Sequence, residues 1–296
     1  MQMLNKAVNT EVAAESVSDI LKTIFIPPCP VVVAALLDEA RRPEVDFNKI
    51  IRLITGDLGL AASMMKTANS PIFALRNKVE TVQTAAAVLG LKNILCIVNG
   101  LALKRSLSPD DVSVSMERFW ERSNYHATVS TRLARRVPGI TREDAYTFGL
   151  FHDCGIPILM QRFADYKETL LLANRSARAV WEVETERHGT DHVAVGAMLA
   201  HNWHLPELIV KAIRMHHNFE ILADTSSSVS DEVRALTAIS LLADHLIARF
   251  LDVPDEAEWM AHGAAALNYL NFDEEELAEL QCDVEEDLNA IRLDRG

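Results

Sequence analysis

The sequence predicts an all-α fold. Three observations carry that reading. Glycine and proline are sparse, at 11 and 10 of 296 residues, and aromatics make up only 6%. Alanine and leucine abound, which favours helix over sheet. Apolar residues also recur with helical spacing between stretches marked by proline, glycine or small polar residues. At 49% hydrophobic residues the chain can bury a substantial core.

The first predicted helix, Ser16 to Phe25, places Val17, Ile20, Leu21 and Ile24 at helical spacing and is stopped by the prolines of "IPPCP". Val31 to Arg41 follows, ending before Pro43. Asp46 then has the character of an N-cap for a helix containing Ile50, Ile51 and Ile54. "TGDLGL" interrupts and restarts that helix as Leu58 to Asn69. Val79 to Gly90 and Leu91 to Lys104 complete a set of short helices whose tight turns suit a compact bundle, not a coiled coil. The polar "RSLSPDDVS" (105–113) marks a subdomain boundary. Beyond it the expected helices are 115–137, 141–152, 163–175, 179–187, 190–202 and 205–218. "ADTSSSVSDE" (223–232) has the composition of a linker. Helices at 232–251, 255–268 and 273–290 close the chain, and no internal repeat is evident.

The formal charge of −13 is localised: residues 252–296 hold fourteen Asp and Glu against Arg292 and Arg295, leaving the rest nearly neutral. With no Lys/Arg-rich face, the footprint of a duplex nucleic-acid binder is missing, so direct DNA binding is not expected. Within the acidic segment, Leu277, Leu280, Val284, Leu288 and Ile291 keep helical spacing, which predicts docking on the bundle. Four widely spaced cysteines fit reduced thiols in a cytoplasmic protein. The N-terminus shows acids and polar residues where a signal peptide needs an apolar run. Residues 82–103 imitate a membrane span, but Lys92, Asn93 and Asn99 interrupt them, so a buried helix is expected and no membrane partner.

All ten histidines lie at or beyond residue 126. "GLFHDCGIPILM" (149–160) sets His152 beside Asp153. Neighbours on a helix point about 100° apart, so a metal site here needs ligands from other helices. His126, His192, the pair His216–His217 and Asp244 can supply them. Imidazole with carboxylate is a donor set for iron, manganese or zinc, and such a site polarises phosphoryl oxygens. His201, His204, His245 and His262 are read as ordinary core or surface histidines, and His188 as a helix-end histidine beside Gly189.

The order H…HD…H…HH…D on successive helices resembles the HD superfamily of metal-dependent phosphohydrolases. Within it, the chain from about Val17 to Asp244 is similar to the HDOD family of bacterial signalling output domains. The resemblance is carried by "IFIPPCPVVVAALLDEA" (24–40), "DFNKIIRLITGDLGLAASMMKTANSPIFA" (46–74) and "VETVQTAAAVLGLKNILCIVNGLAL" (79–103). "FWERSNYHATVSTRLA" (119–134), "AYTFGLFHDCGIPIL" (145–159), "ERHGTDHVAVGAMLAHNWHLPELIVKAIRMHH" (186–217) and "ISLLADHLIA" (239–248) continue it.

The resemblance implies an N-terminal helical subdomain packed on an HD-like bundle. The division expected is an extension at 1–16 and an HDOD domain at 17–248, followed by an acidic helical segment at 249–296. Within the domain, 17–108 is the N-terminal subdomain, 109–222 the bundle, 223–231 a linker and 232–248 a closing helix. By position His126, His152, Asp153 and Asp244 correspond to the basic HD set. His192, His216 and His217 correspond to the extra ligands of the related HD-GYP phosphodiesterases. One to three divalent transition-metal ions (Fe, Mn or Zn) are implied, with Asp153 as the catalytic residue if there is turnover.

Two departures weigh against a cyclic-di-GMP phosphodiesterase. Ile156 stands where those enzymes carry a lysine after the dyad, and an apolar side chain cannot stabilise phosphoryl charge. "NFEILADTSSS" replaces their GYP segment. Arg122, one turn before His126, and Arg214, just before the paired histidines, are the arginines placed to bind a substrate phosphate. The expected role is therefore a signalling adaptor working through a protein partner or a small-molecule or nucleotide ligand. A metal-dependent phosphohydrolase acting on a nucleotide or small phosphate ester is the alternative.

Overall fold

The computed structural model describes residues 20, 22–69, 78–108, 114–176, 178–223, 228–253 and 257–293. Among them the regular elements are helical. In chain order these are α1 (Val31–Ala40), α2 (Phe47–Thr55), α3 (Leu58–Ala68), α4 (Val82–Leu107), α5 (Val114–Leu133) and α6 (Arg142–Phe151). Then come α7 (Gly155–Arg162), α8 (Tyr166–Ser176), α9 (Val180–His188), α10 (His192–Asn202) and α11 (Glu207–Met215). A 3-10 turn at Phe219–Leu222, α12 (Asp231–Phe250), α13 (Ala257–Leu270) and α14 (Glu274–Leu293) follow. The 1–16 extension, half of the first predicted helix, and parts of the 105–113 and 223–232 stretches lie outside the described residues.

Several helix starts follow from their caps. Asp46 accepts from the Lys49 amide at 3.0 Å and Asp57 from the Leu60 amide at 2.8 Å. Thr81, Thr141, Asp191 and Ser230 do the same for α4, α6, α10 and α12. Each satisfies an amide that the helix leaves without a partner. The expected break at Gly90 is a kink inside α4, where that residue takes φ 73° and ψ 170°. Of the described helices, α4 is the one apolar and long enough to cross a membrane, and more than half of its apolar window is buried.

One expectation is corrected. The 155–162 segment, outside the helices expected at 141–152 and 163–175, forms α7, and the next helix begins at Tyr166 instead of 163. Pro157 is the third residue of α7, within the first turn, where the missing N–H has no intrahelical acceptor to lose.

In the packing, α1 to α4 form one set, joined to the rest through α4 against α6. The central bundle pairs α5 with α6, α6 with α11, α10 with α7 and α11, and α12 with α5 and α11. Two glycines set its closest approaches. A Cβ on Gly149 would stand 2.7 Å from Ala127 Cα, and one on Gly155 would stand 2.0 Å from the His192 carbonyl oxygen. They bring α6 against α5 and the start of α7 against α10, and His152 and Asp153 lie between these two glycines.

Candidate metal centre

Five helices deliver the histidine and aspartate side chains singled out above. His126 lies in α5 and Asp244 in α12, while His152 caps the C-terminus of α6 with Asp153 next to it. His192 opens α10, where Asp191 accepts from the Ala194 amide at 2.6 Å. His216 caps α11, and His217 follows. All seven converge in two groups whose donor atoms lie within 4.8 Å of one another: Asp153, His192, His216 and His217, and His126, His152 and Asp244.

Asp153 joins the two groups. Its Oδ2 lies 3.2 Å from His152 Nε2, and its Oδ1 lies 3.4 Å from His192 Nε2 and 3.6 Å from His216 Nε2. Behind the cluster, each of four imidazoles has its Nδ1 held. His152 Nδ1 lies 2.9 Å from the Gly149 carbonyl and His216 Nδ1 2.7 Å from the Ile213 carbonyl. His192 Nδ1 lies 2.6 Å from Glu184 Oε2, and His217 Nδ1 2.9 Å from Glu258 Oε2. In the neutral ring an acceptor on Nδ1 fixes the proton there and leaves Nε2 as the lone pair, the arrangement that orients histidine as a metal ligand.

The electrostatics follow from burial and charge. Burial and a neighbouring imidazole push His216 and His217 down to about 4. Burial also acts on His192, but Glu184, Asp153 and Asp191 outweigh it and raise it to about 9. Burial opposes ionisation of Asp153, yet His152, His216 and His192 hold it well below the usual carboxylate range. His126, buried beside His152, is held well below the ordinary histidine value.

The donors fit a divalent transition metal. His216 Nε2 is buried with no hydrogen-bond partner, and it points at Asp153. An orphaned nitrogen in an otherwise satisfied nitrogen and oxygen cage suits a cation.

Arg122 Nη2 meets Asp244 Oδ1 at 3.2 Å, so that arginine reaches the cluster. Arg214 instead lies 3.9 Å from Asp191 and is largely exposed. His188 contacts Thr169 and stacks on Phe163, and His245 stacks on Trp259, outside the cluster.

Sequence reasoning missed Glu184 and Glu258. Glu184 is fully buried, accepts from the Tyr166 hydroxyl and from the His192 amide at 2.9 Å, and so positions both the ring and the backbone of His192. Glu258, from the acidic C-terminal region, is pushed up to about 7 by burial. Neither carried a signal: a glutamate eight residues before a histidine, or one among fourteen acids, reads as solvated.

The HDOD domain family model matches residues 26–219. This chain belongs to the HDOD family. As an HDOD protein it is 26% identical over 230 residues to an uncharacterized protein of Treponema pallidum (strain Nichols). That match covers 77% of this chain and 43% of the relative, so the chain spans less than half the length of the curated protein it matches. Its fold is shared with an HDOD domain protein of unknown function from Geobacter sulfurreducens, at a TM-score of 0.72 and 21% identity over 95% of this chain and 98% of that one. A candidate phosphohydrolase from Shewanella amazonensis SB2B is similar at 0.71 and 20% identity, covering 96% of this HDOD chain and 98% of its own.

Proposed function

We propose that this HDOD protein is a cytoplasmic signalling output module that holds a divalent transition-metal ion and acts through a protein partner or a small ligand. The observation that carries the metal reading is the set of four imidazoles whose Nδ1 atoms are held from behind, while the Nε2 atoms of the buried His152, His192 and His216 face Asp153. When bound, such an ion supplies Lewis acidity toward phosphoryl oxygens. The chain's own groups do the positioning: Glu184 and Glu258 set the tautomers of His192 and His217, and Asp153 links the two groups. Ile156, which follows the dyad and packs against the core, places no positive charge there. That favours an adaptor over a phosphodiesterase.

One observation favours phosphohydrolase chemistry as a second reading. The cluster has a face toward solvent, where Asp153, Asp244 and His217 are 25%, 22% and 17% exposed and Arg122 stands beside Asp244. A nucleotide or small phosphate ester reaching that face would meet the arginine first, with Asp153 next to the reacting atoms.

Elemental analysis of tag-free protein, beside Asp153→Ala, tests the metal reading. A transition metal bound by the wild type and lost in the variant is expected. A wild type that stays empty after incubation with iron, manganese or zinc sinks it. A hydrolysis screen over nucleotides and phosphate esters on the loaded protein then separates the readings, with turnover abolished by Asp153→Ala overturning the adaptor.

A further inference from the structure

The two halves of the cluster are not equivalent. In the trio, His126 has both ring nitrogens occupied, Nδ1 lying 3.2 Å from Ser130 Oγ and Nε2 3.3 Å from Ser240 Oγ. Its ring stacks on His152 with centroids 3.8 Å apart. The third member, Asp244, already faces the guanidinium of Arg122 at 3.2 Å. Arginine does not lose its charge in proteins, so this carboxylate has a permanent internal counter-ion, and a second cation placed there meets like-charge repulsion.

The quartet has the opposite character. His216 Nε2 is buried and unpartnered, with the residue 2% exposed. His192 Nε2 and His217 Nε2 lie 3.2 Å apart, although each ring already gives its Nδ1 to a carboxylate. Donor atoms of all four residues lie within 4.8 Å of one another, a spread that one ion can bridge. Asp153 Oδ1 sits at the same point and completes a three-nitrogen, one-oxygen donor set.

We infer that the chain holds one tight metal ion on Asp153, His192, His216 and His217, and that Arg122, as the built-in counter-ion of Asp244, closes the neighbouring trio to a second. This rests on the metal reading above and assigns its ion to particular residues. It also gives Arg122 a role other than gripping substrate: it sets how many ions the centre takes up.

The test is metal stoichiometry on tag-free full-length protein equilibrated with Mn²⁺ or Zn²⁺ and freed of loose ions, with circular dichroism as a folding control. One equivalent per chain is expected in the wild type and in His126→Ala. It should be lost in His216→Ala and in His217→Ala, the second variant covering the case in which the more buried one fails to fold. Arg122→Ala should gain a second equivalent, and the metal-induced rise in melting temperature should become biphasic with metal concentration. Two equivalents in the wild type, or an ion lost in His126→Ala and kept in His217→Ala, would overturn the assignment. Arg122→Ala remaining at one equivalent would overturn the role of the arginine. A wild type that binds no ion overturns the metal reading itself, a result distinct from the others.

Discussion

Glu184 is a carboxylate whose importance lies entirely in what surrounds it. Burial opposes its ionisation, but His192 and the Tyr166 hydroxyl together hold its pKa below the ordinary glutamate value. Glu184→Gln keeps the size and removes the charge behind His192. Metal affinity, measured by competition with a chelating dye, is expected to fall by about 10- to 100-fold, the cost typical of losing such an orienting partner. An unchanged affinity would show that the ring is held by packing alone. Glu39 makes the same point away from the cluster. It is buried and accepts from Lys49 Nζ at 2.7 Å and from the Asp46 amide at 3.1 Å. The Lys49 bond above all, then the Asp46 amide, holds its pKa below the ordinary value of 4.5. A depressed folded pKa means stability that is present above the unfolded value and lost as pH falls through the folded one. Glu39→Gln is therefore expected to lower the melting temperature at neutral pH and to flatten its decline on acidification, a shape read from melts across that range. At this scale histidines were legible, being few and clustered in order, whereas buried glutamates were not, because nothing in a sequence marks which acid is enclosed.

Helix placement was largely legible because caps are local. Asp46, Asp57 and Thr141 bond amides three residues ahead, so the chemistry that starts α2, α3 and α6 is contained in four consecutive residues. The start of α7 was not legible. "CGIP" combines two helix breakers, and its glycine is there for a contact with α10, far away in sequence. Gly155→Ala tests that contact: its methyl would enter the His192 backbone, and overpacking of this kind costs about 1–3 kcal/mol. Urea unfolding should show that loss. Because the same contact sets Asp153 against His192, metal affinity should drop further than in Gly56→Ala, where the nearest atom, the Arg52 carbonyl oxygen, stands at 3.2 Å in a helix turn remote in sequence from the dyad. Equal stability in Gly155→Ala and wild type would mean that α7 and α10 can slide apart freely.

For the molecule as a whole, the acidic C-terminal region is part of the folded body. In α14, Leu280, Val284 and Leu288 are fully buried, and Arg132 of α5 reaches Asp283 at 3.2 Å and Asp287 at 2.6 Å. Apolar burial and ion pairing both hold it, but not equally. Leu288→Ala is expected to cost about 2–5 kcal/mol in chemical denaturation, whereas Asp287→Asn, at a partly exposed pair, should cost no more than about 1 kcal/mol. The reverse ranking would show that charge, not packing, docks the helix. Through α13 the same region places Glu258 on His217, so the centre draws on residues beyond the 26–219 stretch that the family shares. The sequence by itself determined the all-α class, most helices and the seven ligand-type residues, because helical period, capping and residue chemistry are properties of neighbouring positions. Only the tertiary structure decided which imidazole nitrogens face inward, that Arg122 answers Asp244 and that Glu184 and Glu258 stand behind His192 and His217. These depend on side chains up to 122 positions apart meeting in space, and on the close backbone approaches at Gly149 and Gly155 that let them meet.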